Sequence, residues 1–400
     1  MALDFELSSE QQHYRALADQ MLQRFAPRRE ELKRMILKER KFPQELWDAF
    51  AEAGFLGALI PEEYGGSNSG LLALTIACEQ MGSHGYGSAL LVLTAMDTAC
   101  LVRNATEAMK RKVLPLVAQG KAKLCFAVTE PNAGSNTFRI STHAKKTADG
   151  RHYQLNGEKT FITGVDVADL MLLVARTTTV AECTAQGLPK AWGLSLLLID
   201  PKTPGIQLTP LPTRGIEGFT QFTVRFENAL VPVDTLVGEQ DSGTVSLFNS
   251  LNPERILAAA LACGMTEYLI KKSVDYAQDR KVFGDEPIAT HQAIQHPLAE
   301  LQIELEATRM LTYRAAWGFD GGLEPGEVGY WANCAKYKAA ELAIGAADRA
   351  IQTHGGSGFS EEVGIIYYWD GARLLRTAPI TKEMILNYVA EHKLGMPRSY

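Results

Sequence analysis

The sequence has few of the features that mark exported, membrane-spanning or metal-binding proteins. It contains six cysteines in 400 residues, and no two of them form a Cys-x-x-Cys pair. A zinc site or a disulfide framework is therefore not expected, and buried free thiols in a reducing compartment fit the spacing. The start of the chain shows no basic segment followed by an apolar run, so we expect no signal peptide and a cytoplasmic protein.

Other absences exclude further classes of function. There is no run of 18 apolar residues, so no membrane span is predicted. The net charge of −6 argues against non-specific nucleic-acid binding, although it leaves room for a local basic site. No P-loop, His-Glu-x-x-His or Gly-x-Ser-x-Gly motif is present, and the eight histidines lack metal-ligand spacing. We predict no metal site.

What is present is a folded chain long enough for two or three domains, with 46% hydrophobic and 22% charged residues. Helical spacing dominates both ends. Between them, alternation such as Phe222, Val224 and Phe226 predicts strands that do not alternate regularly with helices. The pattern predicts an α+β fold with an N-terminal helical domain (1–122), a central antiparallel β-barrel or sandwich (123–236) and a C-terminal four-helix bundle (237–400).

The bundle is predicted from four helical stretches. The first covers 243–282 with a possible break near Pro253, the second follows Pro297, and the others cover 325–354 and 380–393. Gly355–Gly358 follows the third helix and lacks Gly-x-Gly-x-x-Gly spacing, so a helix C-cap is favoured over a phosphate loop.

Two segments of the β region have the composition of a ligand-binding rim. Phe126–Asn136 opens the region and ends in a small, polar turn, and Lys159–Gly164 carries an aromatic ring between two threonines. Two Thr hydroxyls and a ring could flank a flat heterocycle. A plain strand-to-loop transition and ordinary β-propensity explain the same residues equally simply.

These segments, with three others in the same order and spacing, resemble the acyl-CoA dehydrogenase flavoproteins over nearly the whole chain. Phe126–Ser135 is similar to their Thr-Glu-Pro-x-Ala-Gly-Ser signature, and Lys159–Gly164 to their second flavin strand. The other three matches are Ile60–Gly66 with the preceding helix, Arg280–Gly284 followed by His291-Gln292, and Gln352 followed by Gly355–Gly358. The chain departs from the common pattern at Asn132 and Asn136.

The resemblance implies FAD as cofactor, an acyl-CoA substrate, an electron-transferring flavoprotein as oxidant and a homotetramer. It places six residues at the flavin and seven at the FAD of a neighbouring subunit. The implied FAD residues are Phe126, Val128, Thr129, Phe161, Ile162 and Thr163, and then Arg280, Val282, Phe283, His291, Gln292, Gln352 and Gly356. The implied substrate residues are Ser135, Asn252, Arg255 and Ala378.

The reaction that the resemblance implies is removal of the α-proton of an acyl-CoA while the β-hydride passes to flavin N5. Most members take the base from a Glu in the last helical hairpin, but this chain has Ala378 and Pro379 there. A smaller branch, including the isovaleryl-CoA and long-chain enzymes, uses a Glu-Arg pair on a bundle helix. Glu254-Arg255 matches that pair, so we assign Glu254 as the base. Without the resemblance, Glu254 would be interpreted as an acid in the first turn of a helix capped by Asn252 and Pro253.

Pro379 leaves one question about the site open. In the family, the backbone N–H at the usual Glu position helps polarise the thioester carbonyl, and proline has no N–H. Either a neighbouring N–H, from Ala378 or Ile380, takes its place, or a ribityl hydroxyl of FAD acts alone.

Three alternatives to an acyl-CoA dehydrogenase remain at this point. The first is a reductase of an α,β-unsaturated acyl-CoA, and the second is an oxidase that passes electrons to oxygen. The third is a flavin-binding relative without dehydrogenase activity, which serves as a structural subunit.

Overall fold

The computed structural model of the chain describes residues 6–216 and 218–399. The first five residues lie outside this range. The expectation that the start of the chain is not a signal peptide concerns these residues in part. None of the described helices is long and apolar enough to cross a membrane.

The first third of the chain is helical, as predicted. A capping box between Ser8 and Gln11 opens the first helix, because each side chain bonds the backbone N–H of the other residue. The helices are α1 (Ser9–Gln23), α2 (Arg29–Lys33), α3 (Gln44–Glu52), α4 (Gly70–Ser83), α5 (Ala89–Asn104) and α6 (Glu107–Ala118).

The described middle part of the chain forms an eight-stranded, mostly antiparallel sheet with one short α-helix, α7 (Val180–Ala185). The strands are β1 (Leu124–Ala127), β2 (His143–Lys146), β3 (His152–Thr163), β4 (Leu170–Arg176), β5 (Leu194–Ile199), β6 (Ile206–Leu211), β7 (Gln221–Pro232) and β8 (Leu236–Val237). Their order is β6-β7-β3-β2-β4-β5-β8, and β1 pairs with β4 in parallel. The apolar strands β4 and β5 are buried almost throughout, as their continuous hydrophobic runs predict.

The last part of the chain is helical again. Its helices are α8 (Gly243–Asp279), α9 (Gln292–Asp320), α10 (Pro325–His354), α11 (Tyr367–Leu374) and α12 (Lys382–His392). The predicted stretch 325–354 is confirmed, and the chain reverses after it at Gly355 with φ of 57°. Helix α8 begins at Gly243, as predicted, but the possible break near Pro253 is wrong because the helix continues through this proline.

Helix α8 joins the parts of the molecule, because it packs against α4, α5, α9 and α10. Its crossing with α4 is close: a Cβ on Gly264 would lie 2.0 Å from the carbonyl oxygen of Glu79. Only glycine allows two backbones to approach this closely. The base predicted at Glu254 therefore lies on the helix where the N-terminal helices and the bundle meet.

Candidate active site

Glu254 lies half-buried on α8, directly after Pro253. Burial raises the pKa of its carboxyl to about 7, although the nearby cations of Arg255 and Lys336 act in the opposite direction. A carboxyl group whose pKa lies close to neutral pH is suited to accept a proton from a weak carbon acid and to release it again. The carboxylate that the sequence predicts as base therefore has the environment that this role requires.

The two neighbours predicted to bind substrate are linked to each other. The guanidinium of Arg255 donates to the side-chain oxygen of Asn252 at 3.1 Å. The amide nitrogen of Asn252 donates to the carbonyl of Pro325 at 3.3 Å, at the start of α10. Both polar atoms of Asn252 thus have partners within the protein. In this structure Asn252 ties α8 to α10 and orients Arg255 beside the base.

Lys336 is a charged residue of the site that the sequence reasoning missed. It is buried on α10, and its ammonium donates to the backbone carbonyl of Ile380 in the loop before α12. Burial lowers its pKa to about 8. The available signal was its position within an alanine-rich face, four residues after Ala332 and three before Ala339, where a lysine is out of place unless it is paired.

The loop between α11 and α12 contains Pro379 and the two neighbouring backbone N–H groups, those of Ala378 and Ile380. The peptide bond between Ala378 and Pro379 is cis, and the N–H of Ala378 donates to the carbonyl of Leu374 at 3.0 Å. Within the described parts of the chain, the N–H of Ile380 has no acceptor. Of the two donors considered from the sequence, Ile380 is therefore the one that is available.

Glu383, another carboxylate near this loop, is exposed at the protein surface. Helix α12 begins at Lys382, and the hydroxyl of Thr381 caps it by accepting the N–H of Met384 at 3.3 Å. Glu383 is exposed in the first turn, where an acid stabilises the helix dipole. It has the environment of a surface acid, whereas Glu254 is half-buried.

The two predicted flavin segments lie side by side. The N–H of Thr160 donates to the carbonyl of Thr129 at 2.9 Å, and Lys159 donates to the carbonyl of Val128 at 2.9 Å. The same ammonium lies 2.9 Å from Glu130, which also accepts the backbone N–H groups of Ser141 and Thr142. Burial alone would raise the pKa of Glu130, but Lys159 and these hydrogen bonds lower it to about 2. A buried ion pair therefore joins the two segments.

A β-bulge in β3 exposes an aromatic ring beside this pair. The register with β7 shifts between Lys159 and Ile162, and Phe161 has a φ of 58°, which is rare for a side chain of this size. As a result 55% of the Phe161 surface is exposed, while Thr163 is buried two residues later. The ring and the nearby hydroxyls thus form a partly polar surface near the end of β3, an interior strand of the sheet.

The other predicted residues of this region differ in how they can take part. Phe126 and Ile162 are buried in the protein core, so only their backbone groups can reach a ligand. Val128 and Thr129 are half-buried, whereas Ser135 is exposed in the turn that follows. Asn136, one of the two departures from the family pattern, accepts the N–H of Phe138 at 3.2 Å and caps a short helical turn.

The seven residues assigned to a neighbouring subunit's FAD lie in the region where α8 and α10 end. The rings of Tyr276 and His354 stack there at 4.4 Å between centroids, which brings the ends of the two helices together. The described side chains of the group are exposed, and Phe283 is exposed by 95%. A Cβ on Gly355 or Gly356 would meet nothing within 4 Å. This end of the bundle is an open surface with a cation, an aromatic ring and accessible backbone.

The sequence matches three domain descriptions of one family. Residues 8–121 match the "Acyl-CoA dehydrogenase, N-terminal domain", 125–229 the middle domain and 241–394 the C-terminal domain. The chain belongs to the acyl-CoA dehydrogenase family. This membership confirms the resemblance found in the sequence and the reaction class, a flavin-dependent oxidation of acyl-CoA-like substrates by an oxidoreductase. It also confirms FAD as the cofactor.

Relatives within this acyl-CoA dehydrogenase family include enzymes named for both directions of the reaction. The chain is 38% identical over 364 residues to acyl-CoA dehydrogenase FadE12 of Mycobacterium tuberculosis, with 91% of each chain covered. It is 32% identical over 361 residues to a 3-(aryl)acrylate reductase of Clostridium sporogenes, covering 89% of this chain and 92% of the relative. The solved structure of butyryl-CoA dehydrogenase from Megasphaera elsdenii superposes with a TM-score of 0.88 at 28% identity, covering 98% of this chain and all of that one.

Proposed function

We propose that the protein dehydrogenates an acyl-CoA thioester to the trans-2-enoyl-CoA, with Glu254 as the base that removes the α-proton. The observation that carries this proposal is the half-buried Glu254 carboxyl with a pKa of about 7. When bound, FAD accepts the hydride from the β-carbon. Loss of one proton and one hydride leaves the new double bond between the α- and β-carbons.

Glu254 is the carboxylate that the surroundings favour for this role. The residues at the more common position, Ala378 and Pro379, cannot accept a proton. Glu383 is exposed and lies in the first turn of α12, where its charge stabilises the helix. Lys336 and Arg255 place positive charge near Glu254, which keeps its pKa from rising above neutral pH.

The N–H of Ile380 is our candidate for the donor that polarises the thioester carbonyl. It has no acceptor within the described residues, and Lys336 holds the carbonyl of the same residue. A fixed donor facing the developing negative charge can lower the barrier by about 3 kcal/mol. Lys336 thus has two roles: its hydrogen bond holds the loop that carries the Ile380 N–H, and its charge lowers the pKa of Glu254.

The described residues fit FAD in two groups. The exposed Phe161 ring with Thr129 and Thr163 suits the flat isoalloxazine, and Arg280 with the open Gly356 backbone suits the pyrophosphate. Glu254 and Arg280 are 26 residues apart along α8, which corresponds to about 39 Å at a rise of about 1.5 Å per residue. This separation supports a site completed by the end group of a second copy, and we propose a homotetramer.

The reverse reaction, reduction of an α,β-unsaturated acyl-CoA, is a second candidate because one relative is named as a reductase. In that direction Glu254 delivers the proton to the α-carbon. We favour dehydrogenation, with an electron-transferring flavoprotein as oxidant in the cytoplasm. The two directions are separated by measuring the product formed from an acyl-CoA with that oxidant and from an enoyl-CoA with chemically reduced protein.

Anaerobic titration of the FAD-loaded protein with acyl-CoAs of different length and branching tests the proposal. A suitable acyl-CoA bleaches the flavin absorbance and yields one trans-2-enoyl-CoA per flavin. If no member of the panel bleaches the flavin while enoyl-CoAs reoxidise a reduced sample rapidly, the reductase assignment replaces this one.

A further inference from the structure

Asp97 on α5 is a buried carboxyl group that the proposed mechanism does not use. The side chain is fully inaccessible, and neither carboxyl oxygen has a hydrogen-bond partner in the described chain. Among the residues that the structure describes, the other two buried acids are ion-paired: Glu79 with Arg309, and Glu130 with Lys159 at 2.9 Å. Asp97 therefore differs from them because the fold provides nothing to satisfy it.

A carboxyl group without partners is unfavourable in a protein interior. Burial and the nearby Glu254 carboxylate together raise the pKa of Asp97 well above its usual range. A higher pKa favours the protonated form of the carboxyl group, and that form can both donate and accept a hydrogen bond. A polar group that the fold leaves unsatisfied in this way is often retained for function.

The position of Asp97 connects it to both parts of the candidate site. One turn earlier, the hydroxyl of Thr94 donates to the carbonyl of Leu124 at 3.1 Å and accepts its N–H at 3.0 Å, which anchors α5 on β1. β1 leads directly into the Val128–Thr129 flavin segment. Across from β1, α5 packs against α8, which carries Glu254. Asp97 is thus enclosed between the base helix and the cofactor strand.

We propose that Asp97 is a specificity residue that selects acyl thioesters whose acyl chain carries a hydrogen-bond donor, a hydroxyl or an amine. Such a substituent provides the hydrogen-bond partner that the described residues do not. An unsubstituted acyl chain leaves the carboxyl unsatisfied and is bound less well. This inference rests on the proposed acyl-CoA chemistry, since it concerns the same site.

The first test measures thermal stability in the absence of substrate. Asp97→Leu removes the unpaired group at similar volume, so the variant should melt at a higher temperature than the unmodified protein. Thr98→Val is the matched control, because its hydroxyl already bonds the carbonyl of Thr94 within the same helix. A lower melting temperature for both Asp97→Leu and the milder Asp97→Asn would show a structural role and overturn the proposal.

The second test compares matched substrates by the rate of flavin bleaching. Unsubstituted C4, C6 and C8 acyl-CoAs are compared with their terminal hydroxy and terminal amino counterparts. We expect the unmodified protein to prefer a substituted chain in kcat/KM, and Asp97→Leu to lose that preference by at least about tenfold. Asp97→Asn keeps a donor and an acceptor but cannot ionise to form an ion pair with an ammonium group. It should therefore preserve a preference for hydroxyl and lose one for amine.

The outcomes separate this inference from the proposed function. If the unmodified protein favours the unsubstituted chains at every length, or if Asp97→Leu leaves the preference unchanged, Asp97 does not select the substrate. Bleaching by any acyl-CoA in these same samples still supports dehydrogenation. A shift of the pH–rate profile without a change of preference would make Asp97 a positioning residue for Glu254 instead. Absence of bleaching by every compound overturns both.

Discussion

The ammonium of Lys159 lies 2.9 Å from the carboxylate of Glu130, and both side chains are buried where the two flavin segments meet. Lys159→Met leaves the Glu130 charge without its partner, which should lower the free energy of unfolding by about 3–5 kcal/mol. Urea unfolding measures this change. FAD content should fall as well, because Lys159 also holds the Val128 carbonyl.

An exposed ion pair of the same sheet provides the control for this variant. Arg225 and Glu158 lie 3.1 Å apart at the surface, and Arg225→Met should cost only about 0–1 kcal/mol because water screens such pairs. If both variants lose the same free energy of unfolding, the buried Lys159–Glu130 pair stabilises the protein no more than an exposed pair does.

The sequence predicted the overall architecture because that depends on hydrophobic periodicity, which is a local property. The capping box at Ser8 and the end of α10 at His354 followed from local capping rules. The continuity of α8 through Pro253 did not. A proline in a helix interior costs about 3 kcal/mol, so Pro253 indicated a possible break, but packing of α8 against four other helices outweighs that cost.

The sequence predicted those residues of the candidate site that lie within local sequence motifs. Motif residues such as Thr129 and Phe161 are adjacent in sequence to recognisable patterns. Lys336 and Asp97 have no motif, and their roles follow from burial and from partners distant in the chain. The single-residue bulge that exposes Phe161 depends on the register of β3 with β7, which no local pattern of β3 specifies.

The pH dependence of kcat/KM should report the ionisation of Glu254. The base acts in its deprotonated form, so kcat/KM should be low at pH values below about 7 and should rise as the pH passes through about 7. Lys336→Met removes a cation that favours the carboxylate, so the pKa of Glu254 should rise and the acidic limb should move to higher pH. pH–rate profiles of flavin bleaching measure the shift.

Lys338→Met is a suitable control for the change at Lys336. Lys338 lies two residues further on α10, is partly exposed and pairs with Glu304 at 2.6 Å. Its removal should leave the acidic limb in place. A profile of Lys336→Met that is unchanged, or displaced to lower pH, contradicts the assignment of Lys336 as a residue that tunes the base.

The proposed division of the FAD site between two chains predicts complementation. Arg280→Met and Phe161→Ala should each lower FAD affinity. For Arg280→Met the loss of a charged hydrogen bond should lower the affinity by about 10-fold or more. Chains with these two changes are then co-expressed with different tags and purified as mixed oligomers. If each site uses Phe161 of one chain and Arg280 of another, some sites carry neither change and FAD binding is partly restored.

The controls for complementation use one change at a time. Oligomers of either single variant should remain poor in FAD, and Lys271→Met, at an exposed pair on the same helix, should bind FAD normally. If mixed oligomers bind no more FAD than the single variants, both groups act within one chain.

The most direct test of the account compares the flavin reduction rate of the unmodified protein with that of Glu254→Gln. The FAD-loaded proteins are mixed anaerobically with the best acyl-CoA from the substrate panel, and flavin absorbance is followed in stopped flow. Because a general base contributes about 10²–10⁴-fold, Glu254→Gln should retain FAD and substrate binding but be reduced at least about 100-fold more slowly. Glu383→Gln, at the exposed acid of α12, should be reduced at the normal rate. Full-speed bleaching in Glu254→Gln, or its loss in Glu383→Gln alone, would contradict the assignment of Glu254 as the base.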